Sequence, residues 1–134
     1  MDMRLVLLLF LSISTGSFAQ DQVAEKTVQN FLVQFNAAKY DQIYSTLSAD
    51  YQKKLSKKNM VKYLDYIHGM VRGFRSATFK TQKGKEFMYF FTCKDKEINA
   101  DFQCVINSDG KFEYLTFKRI GGKGDPPPVG KMKQ

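Results

Sequence analysis

The sequence has no tryptophan, one histidine, two cysteines and three prolines among its 134 residues, and each scarcity narrows the chemistry open to it. A single imidazole, His68, gives a zinc site or a histidine-based triad no adequate set of partners. Its expected role is at a helix end, where a cation suits the C-terminal dipole. No glycine-rich loop opens a helix in the way that cradles phosphate: Gly121, Gly122 and Gly124 follow a strand-like run but lead into Pro126, Pro127 and Pro128. Acids are outnumbered, 13 against 21 basic residues. The formal net charge of +8 favours phosphate-rich or anionic partners such as nucleic acid, anionic lipid or lipopolysaccharide.

Long apolar runs are also missing. Leu5 to Ile13, interrupted by Ser12, follows Arg4 and gives way to Ser17, Phe18 and Ala19, which is the order of charge, apolar core and small-residue exit in a secretory leader. The run falls short of the ~30 Å hydrocarbon core that a spanning helix must cross. Residues 1–19 are therefore expected to be a signal peptide cleaved near Ala19, with no Cys at the exit to carry a lipid. The mature chain should be one exported domain, periplasmic or secreted, over residues 20–120, and a flexible basic tail of Pro and Gly over 121–134. No membrane span is expected once the leader is gone, and export argues against nucleic acid as the anionic partner.

The dominant feature of the remaining sequence is a sheet with one oily side. Three strand-like runs, Gly84 to Thr92, Glu97 to Ile106 and Lys111 to Lys118, are separated by hairpin signals. In the middle run Ile98, Ala100, Phe102, Cys104 and Ile106 share one face and Asn99, Asp101, Gln103 and Asn107 the other, with Val105 out of place. Val71 to Gln82 adds a fourth run containing Phe74, Ala77 and Phe79, whose faces do not separate well. Phe87, Tyr89, Phe91 and Cys93 point one way and Met88 and Phe90 the other, so this strand calls for cover on both faces. Helices can supply one cover; the sheet's own curl, a loop or a second copy of the chain must supply the other.

Two turns decide the register. A two-residue turn at Asp95 and Lys96 sets Cys93 opposite Ile98 and Cys104 opposite Phe87, which separates the two thiols by ~20 Å along the strand. A disulfide tolerates a Cα separation of at most ~7 Å, so both cysteines are expected to be free core residues; a longer loop would instead bring them opposite each other. At the second turn, Asn107 to Gly110, a two-residue Asp-Gly turn puts Leu115 and Phe117 on the covered face, whereas a three-residue loop with Gly110 left-handed puts Phe112 and Tyr114 there.

The covering helices lie upstream. Ala24, Val28, Phe31, Phe35 and Ala38 recur at helical spacing, widened by Leu32, with Phe31 and Phe35 as inward knobs, Glu25, Lys26, Gln29, Asn30 and Gln34 opposite, and Asp21 near the start. Asp41 is placed to cap a short second helix from Gln42 to Leu47, and Asp50 to Leu55 is polar and ambiguous. Ser56 suits the N-cap of a third helix, Lys57 to His68, with Met60, Leu64 and Ile67 inward and Gly69 as its stop. Lys53, Lys54, Lys57, Lys58 and Lys62 crowd its start, where positive charge is unfavourable; they form a candidate anion-binding patch or a solvated charged face.

Helix, short helix, helix and a four-stranded antiparallel meander is an order that resembles the cystatin-like, nuclear transport factor 2-like superfamily. The run from Phe35 through Tyr40, Asp41, Ile43 and Tyr44 to Leu55, Ser56, Leu64 and Gly69, closed by Asp109, Gly110, Leu115 and Phe117, looks like the small exported bacterial domains of unknown function in that superfamily. Such domains also occur ahead of serine hydrolases of the beta-lactamase kind. The resemblance implies an α+β fold in which three N-terminal helices pack on a curved sheet to form a cone, and its signals are turn and core residues rather than chemistry.

Enzymes of the superfamily such as ketosteroid isomerase hold a carboxylate base at the apolar floor of the cone. Here the inward strand positions are Phe, Tyr, Ala, Cys and Ile, while Glu86, Glu97 and Asp101 fall on the opposite parity and Asp65 faces water, so no catalytic residue, metal or cofactor is assigned. Tyr44, Tyr63, Tyr89 and Phe91 are candidates to line the cone mouth and contact an apolar ligand. The expected function is a non-enzymatic exported module that binds a small apolar ligand or an envelope protein, with self-association through the sheet. The alternatives are a small isomerase or hydrolase-like enzyme using the cone cavity and a polyanion or membrane-surface binder using Lys53 to Lys62.

Overall fold

Phe31 and Phe35, one helical turn apart, set the architecture, because their rings fill the oily side of the sheet. The computed structural model describes residues 22–95 and 98–121. The expected signal peptide, the Asp21 cap, Lys96, Glu97 and the tail beyond Gly121 lie outside those residues. Helix α1 spans 22–36. It is followed by α2 (Tyr40–Ser45), α3 (Ala49–Lys54), α4 (Lys57–Val71) and the strands β1 (Phe74–Lys83), β2 (Glu86–Cys93), β3 (Asn99–Ile106) and β4 (Phe112–Lys118). The strands form one open antiparallel sheet in the order β1-β2-β3-β4, so the protein is α+β. Among the described residues no helix is long and apolar enough to cross a membrane.

The alternation in β3 holds: Ala100, Phe102, Cys104 and Ile106 are buried and the residues between them are not. Phe87, Tyr89, Phe91 and Cys93 share that inner face from β2, and Phe31 and Phe35 are roofed over it at 1 % and 0 % exposure. The Phe31 ring lies 5.0 Å from Phe102, 5.9 Å from Phe112 and 6.0 Å from Phe117. Phe35 stacks toward Phe74 at 4.7 Å, and Phe74 meets Phe91 edge-on at 4.7 Å. Offset and edge-on pairs of this kind each contribute about 0.5–1.5 kcal/mol beyond their buried area, so the rings dominate the core energetically.

Several expectations need correction. Among the described residues there are four helices, not three, because the ambiguous stretch after Ser48 is helical: the Ser48 hydroxyl accepts the Tyr51 N–H at 3.1 Å and so caps α3. Asp41 is not a cap. α2 begins at Tyr40 after Lys39, which offers no side-chain cap, and the Asp41 carboxylate instead meets Lys57 Nζ at 3.5 Å. Gly69 does not stop α4, which runs on to Val71 and ends on Arg72 in the left-handed region at φ 60°. Nothing around Gly69 requires φ > 0, whereas Gly73 beyond it sits at φ 115°, where other residues are strained. Ser56 does cap α4, accepting the Asn59 N–H at 3.2 Å.

The β3–β4 turn combines both candidate registers. Asn107 N–H donates to Lys111 O at 2.9 Å and Gly110 sits at φ 75°, the three-residue loop, which turns Phe112 inward. A bulge at Glu113 then shifts the phase of β4, so Leu115 and Phe117 are also buried while Tyr114 is 41 % exposed. The Asp95 side of the β2–β3 turn follows expectation: Cys104 pairs with Phe87, Cys93 N–H donates to Ile98 O at 3.2 Å, and both cysteines are free and buried.

The two edges of the sheet are finished differently. On β4, Phe112 exchanges backbone hydrogen bonds with Thr46 at 2.9 Å and Ser48 at 2.7 Å, and Phe117 N–H donates to the buried Tyr63 hydroxyl at 2.9 Å. Tyr51 Oη donates to Leu115 O at 3.4 Å. On β1 the first half is held by α1, where Gln29 Nε2 donates to Ala77 O at 2.9 Å and Asn36 bonds both backbone groups of Phe74. The second half of β1 carries no such tie among the described residues; it is bulged at Lys80 and exposed from Thr78 onward.

Candidate ligand site at the rim of the sheet

Among the described residues, packed aromatic rings occupy the inner face of the sheet. Of the four aromatics expected at a cone mouth, Phe91 and Tyr63 are fully enclosed at 0 % exposure. Phe91 belongs to the ring stack, 4.9 Å from Phe102 and 5.6 Å from Phe117. Tyr63 serves the sheet edge, and its burial pushes the phenol above its usual range against the opposing effect of the Phe117 N–H. Tyr44 is half-buried and donates to Leu55 O at 2.9 Å, tying α2 to the end of α3. The four do not gather around one opening.

Tyr89, buried at 1 % exposure, is the one of the four that borders a hollow, beside Phe79. The hollow lies where the end of β1 and the start of β2 project past the first turns of α1, holds about 270 Å³, and is lined by Gln22, Glu25, Phe79, Phe87 and Tyr89. Its walls are mainly apolar. Phe79 and Tyr89 stand nearly perpendicular, 5.8 Å between centroids and 78° between planes, so their rings make two sides of a corner. Phe79 is 49 % exposed, the ring that the sequence placed among ill-separated faces, and here it is a rim residue rather than core.

Glu25 is the residue that sequence reasoning placed on the solvent side of α1 and did not connect to a site. Its Oε2 accepts the Tyr89 hydroxyl at 3.0 Å, and its Oε1 accepts Gln29 Nε2 at 2.8 Å. Gln29 also donates to Ala77 O, so the carboxylate is fixed from β2 through Tyr89 and from β1 through Gln29. Helical periodicity marks Glu25 as polar and exposed, which it is; its meeting with Tyr89 depends on the crossing of α1 over the sheet, and no local pattern encodes that.

Two of the five lysines meet carboxylates. Lys53 lies 3.9 Å from Asp50 and Lys57 3.5 Å from Asp41, both pairs well exposed. Lys53 and Lys54 fall in the last turn of α3, where the helix dipole favours them, so part of the apparent misfit at the start of α4 disappears. The other three, Lys54, Lys58 and Lys62, form no ion pair among the described residues.

His68, in the last turn of α4 as expected, has more company than expected. Its Nδ1 meets the Tyr40 hydroxyl at 3.1 Å and its ring packs edge-on to Phe35 at 4.9 Å. Burial first, then Asp65 by charge and hydrogen bond, raise the Tyr40 phenol above its ordinary value. The group clamps α2 to α4.

The free thiols sit on the inner face as packing residues. Burial pushes Cys93 up to about 11 and Cys104 up to about 12, with Asp95 and Glu86 adding to the two shifts respectively, so both are protonated and unreactive at neutral pH. The molecule is thus a small α+β domain with packed rings on the inner face of its sheet and an aromatic hollow at one end of it. No protein-family model matches the chain, and no curated protein matches it.

Proposed function

We propose that this chain is a non-enzymatic, exported binding module on the cone plan of nuclear transport factor 2-like domains, and that it takes a small apolar ligand at the rim instead of inside the cone. One observation carries this: the rings of Phe31, Phe74, Phe91, Phe102 and Phe117 occupy the interior, while Phe79, Phe87 and Tyr89 leave an apolar hollow with a hydrogen-bonding end. Its volume suits one ring or a short alkyl chain. An isomerase or hydrolase-like reaction has less support, since the floor is hydrocarbon and Glu86 and Asp101 stand on the outer parity of the sheet.

An envelope protein or a second copy is the other occupant to consider, at the outer sheet face. Met88, Phe90 and Val105 are half-buried there and Tyr114 is exposed, which gives that face apolar area to cover. A polyanion site at Lys54, Lys58 and Lys62 has only clustered positive charge in its favour.

The test is titration with toluene, a neutral single ring, read by amide shifts. Saturable binding with shifts confined to residues around Gln22, Glu25, Phe79, Phe87 and Tyr89, weakened by Phe79→Lys, is the expected result. Shifts centred on Met88, Phe90 and Val105 move the site to the outer face, and absence of binding at millimolar toluene rejects a ligand site in the hollow.

A further inference from the structure

We infer that the rim hollow is selective for organic ammonium ions, which names the ligand class and rests on the reading of the hollow as a ligand site. Glu25 is the one charged side chain among its described lining residues. A carboxylate has about four lone-pair positions. Tyr89 and Gln29 use one on each oxygen at 3.0 and 2.8 Å, and the rest remain to accept N–H donors or to attract a quaternary head. The two donors also hold the carboxylate in place, so little side-chain freedom is lost when a cation arrives.

The walls suit the same occupant. A quaternary ammonium carries its charge on carbon-bound hydrogens that pack well against aromatic faces, and the half-exposed Phe79 ring offers such a face in the hollow that Glu25 also lines, while the buried Tyr89 supports that ring edge to face. An anion meets the carboxylate and the negative face of Phe79 together. A neutral apolar molecule gains the walls but nothing from Glu25. The net charge of +8 opposes any cation at long range. That repulsion is screened beyond ~8 Å at physiological salt, whereas the carboxylate and the Phe79 ring act in direct contact, so the local attraction decides.

The experiment compares benzyltrimethylammonium, benzyl alcohol and phenylacetate on the whole protein, each followed by amide and ring-proton shifts of Phe79, Phe87 and Tyr89. The expected order is ammonium tightest, about fivefold over the alcohol, the size of an exposed cation–π contact plus an exposed ion pair. Phenylacetate binds weakest. Glu25→Gln, a surface change whose folding is checked by spectral dispersion, lowers the preference to about twofold, the cation–π part that remains, without weakening the alcohol. Tyr89→Phe keeps the ring, frees the carboxylate and lowers the preference to about threefold. Equal or tighter binding of benzyl alcohol by the unaltered protein, or an ammonium preference undiminished by Glu25→Gln, overturns the selectivity while leaving the hollow as an apolar site. No shift with any of the three overturns the ligand site itself.

Discussion

Asn36 pairs with Phe74 as though it belonged to a neighbouring strand: its Nδ2 donates to the Phe74 carbonyl at 2.8 Å and its Oδ1 accepts the Phe74 N–H at 2.8 Å. One side chain thus satisfies both outward backbone groups at the start of β1. Asn36→Ala leaves the pair without partners at a part-buried position, which costs about 1–3 kcal/mol. Asn36→Asp is worse than a half-loss, because a carboxylate faces the Phe74 carbonyl without a donor. Urea unfolding followed by circular dichroism measures both.

Gly73 is coupled to that pair. A Cβ there comes within 3.2 Å of Asn36 Oδ1 and 3.1 Å of the Lys94 side chain, at a backbone φ of 115°. Lys94 can move aside and Asn36 cannot without breaking its bonds. Gly73→Ala is expected to destabilise by about 1–3 kcal/mol, mostly from backbone strain. In the double variant with Asn36→Ala the combined loss falls short of the sum, because part of the Gly73 cost is the displaced amide. Urea unfolding of the two single variants and the double variant measures that shortfall.

Tyr63 and Tyr51 serve the same strand edge with unequal bonds. Tyr63→Phe strands the buried Phe117 N–H, whose present bond is 2.9 Å, and is expected to cost about 1–3 kcal/mol. Tyr51→Phe gives up a longer contact of 3.4 Å to Leu115 O and costs under about 1 kcal/mol. Thermal unfolding of the two single variants ranks them, and a reversed order contradicts this account of the edge.

The buried thiols make the fold sensitive to alkali. Their folded values lie above the ordinary thiol value, at about 11 for Cys93 and about 12 for Cys104, so the folded state holds these protons more tightly than the unfolded chain. That stability is complete below pH ~9 and is lost as pH rises toward the folded values. At pH 10 the two together should have cost about 2–3 kcal/mol relative to pH 8, at roughly 1.4 kcal/mol per unit for each. Replacing both by Ala removes most of the fall in stability between pH 8 and 9.5, before the buried tyrosines join in. In the native protein at pH 8 a thiol-specific disulfide reagent should label neither cysteine within minutes, and both after urea is added.

Much of the fold is readable from period-two and helical spacing, because those patterns record which face each residue buries. The β3 alternation, the Phe31 and Phe35 roof and the distance between the cysteines all follow from local spacing. The turn after Ile106 is less legible, since the register depends on a bulge at Glu113 that no single turn motif specifies. Gly69 misleads for a related reason: a glycine near the end of an apolar helical pattern looks like a stop, but the left-handed positions fall at Arg72 and Gly73. At the site, Tyr89 is legible as an amphipathic aromatic, whereas Glu25 and Phe79 are not. Their meeting depends on where α1 crosses the sheet and on how far β1 projects beyond it, both of which are tertiary.

A sheet polymerises sideways only if every member offers two open flanks. In this protein the β4 flank is already occupied by the Thr46–Ser48 turn and two tyrosine hydroxyls, so among the described strands the far half of β1 is the flank left unclaimed. Two molecules can join β1 to β1, but a third finds no flank to add to. Lateral association therefore terminates at a pair, and growth into fibrils requires the loop and tyrosines to be stripped from β4 first.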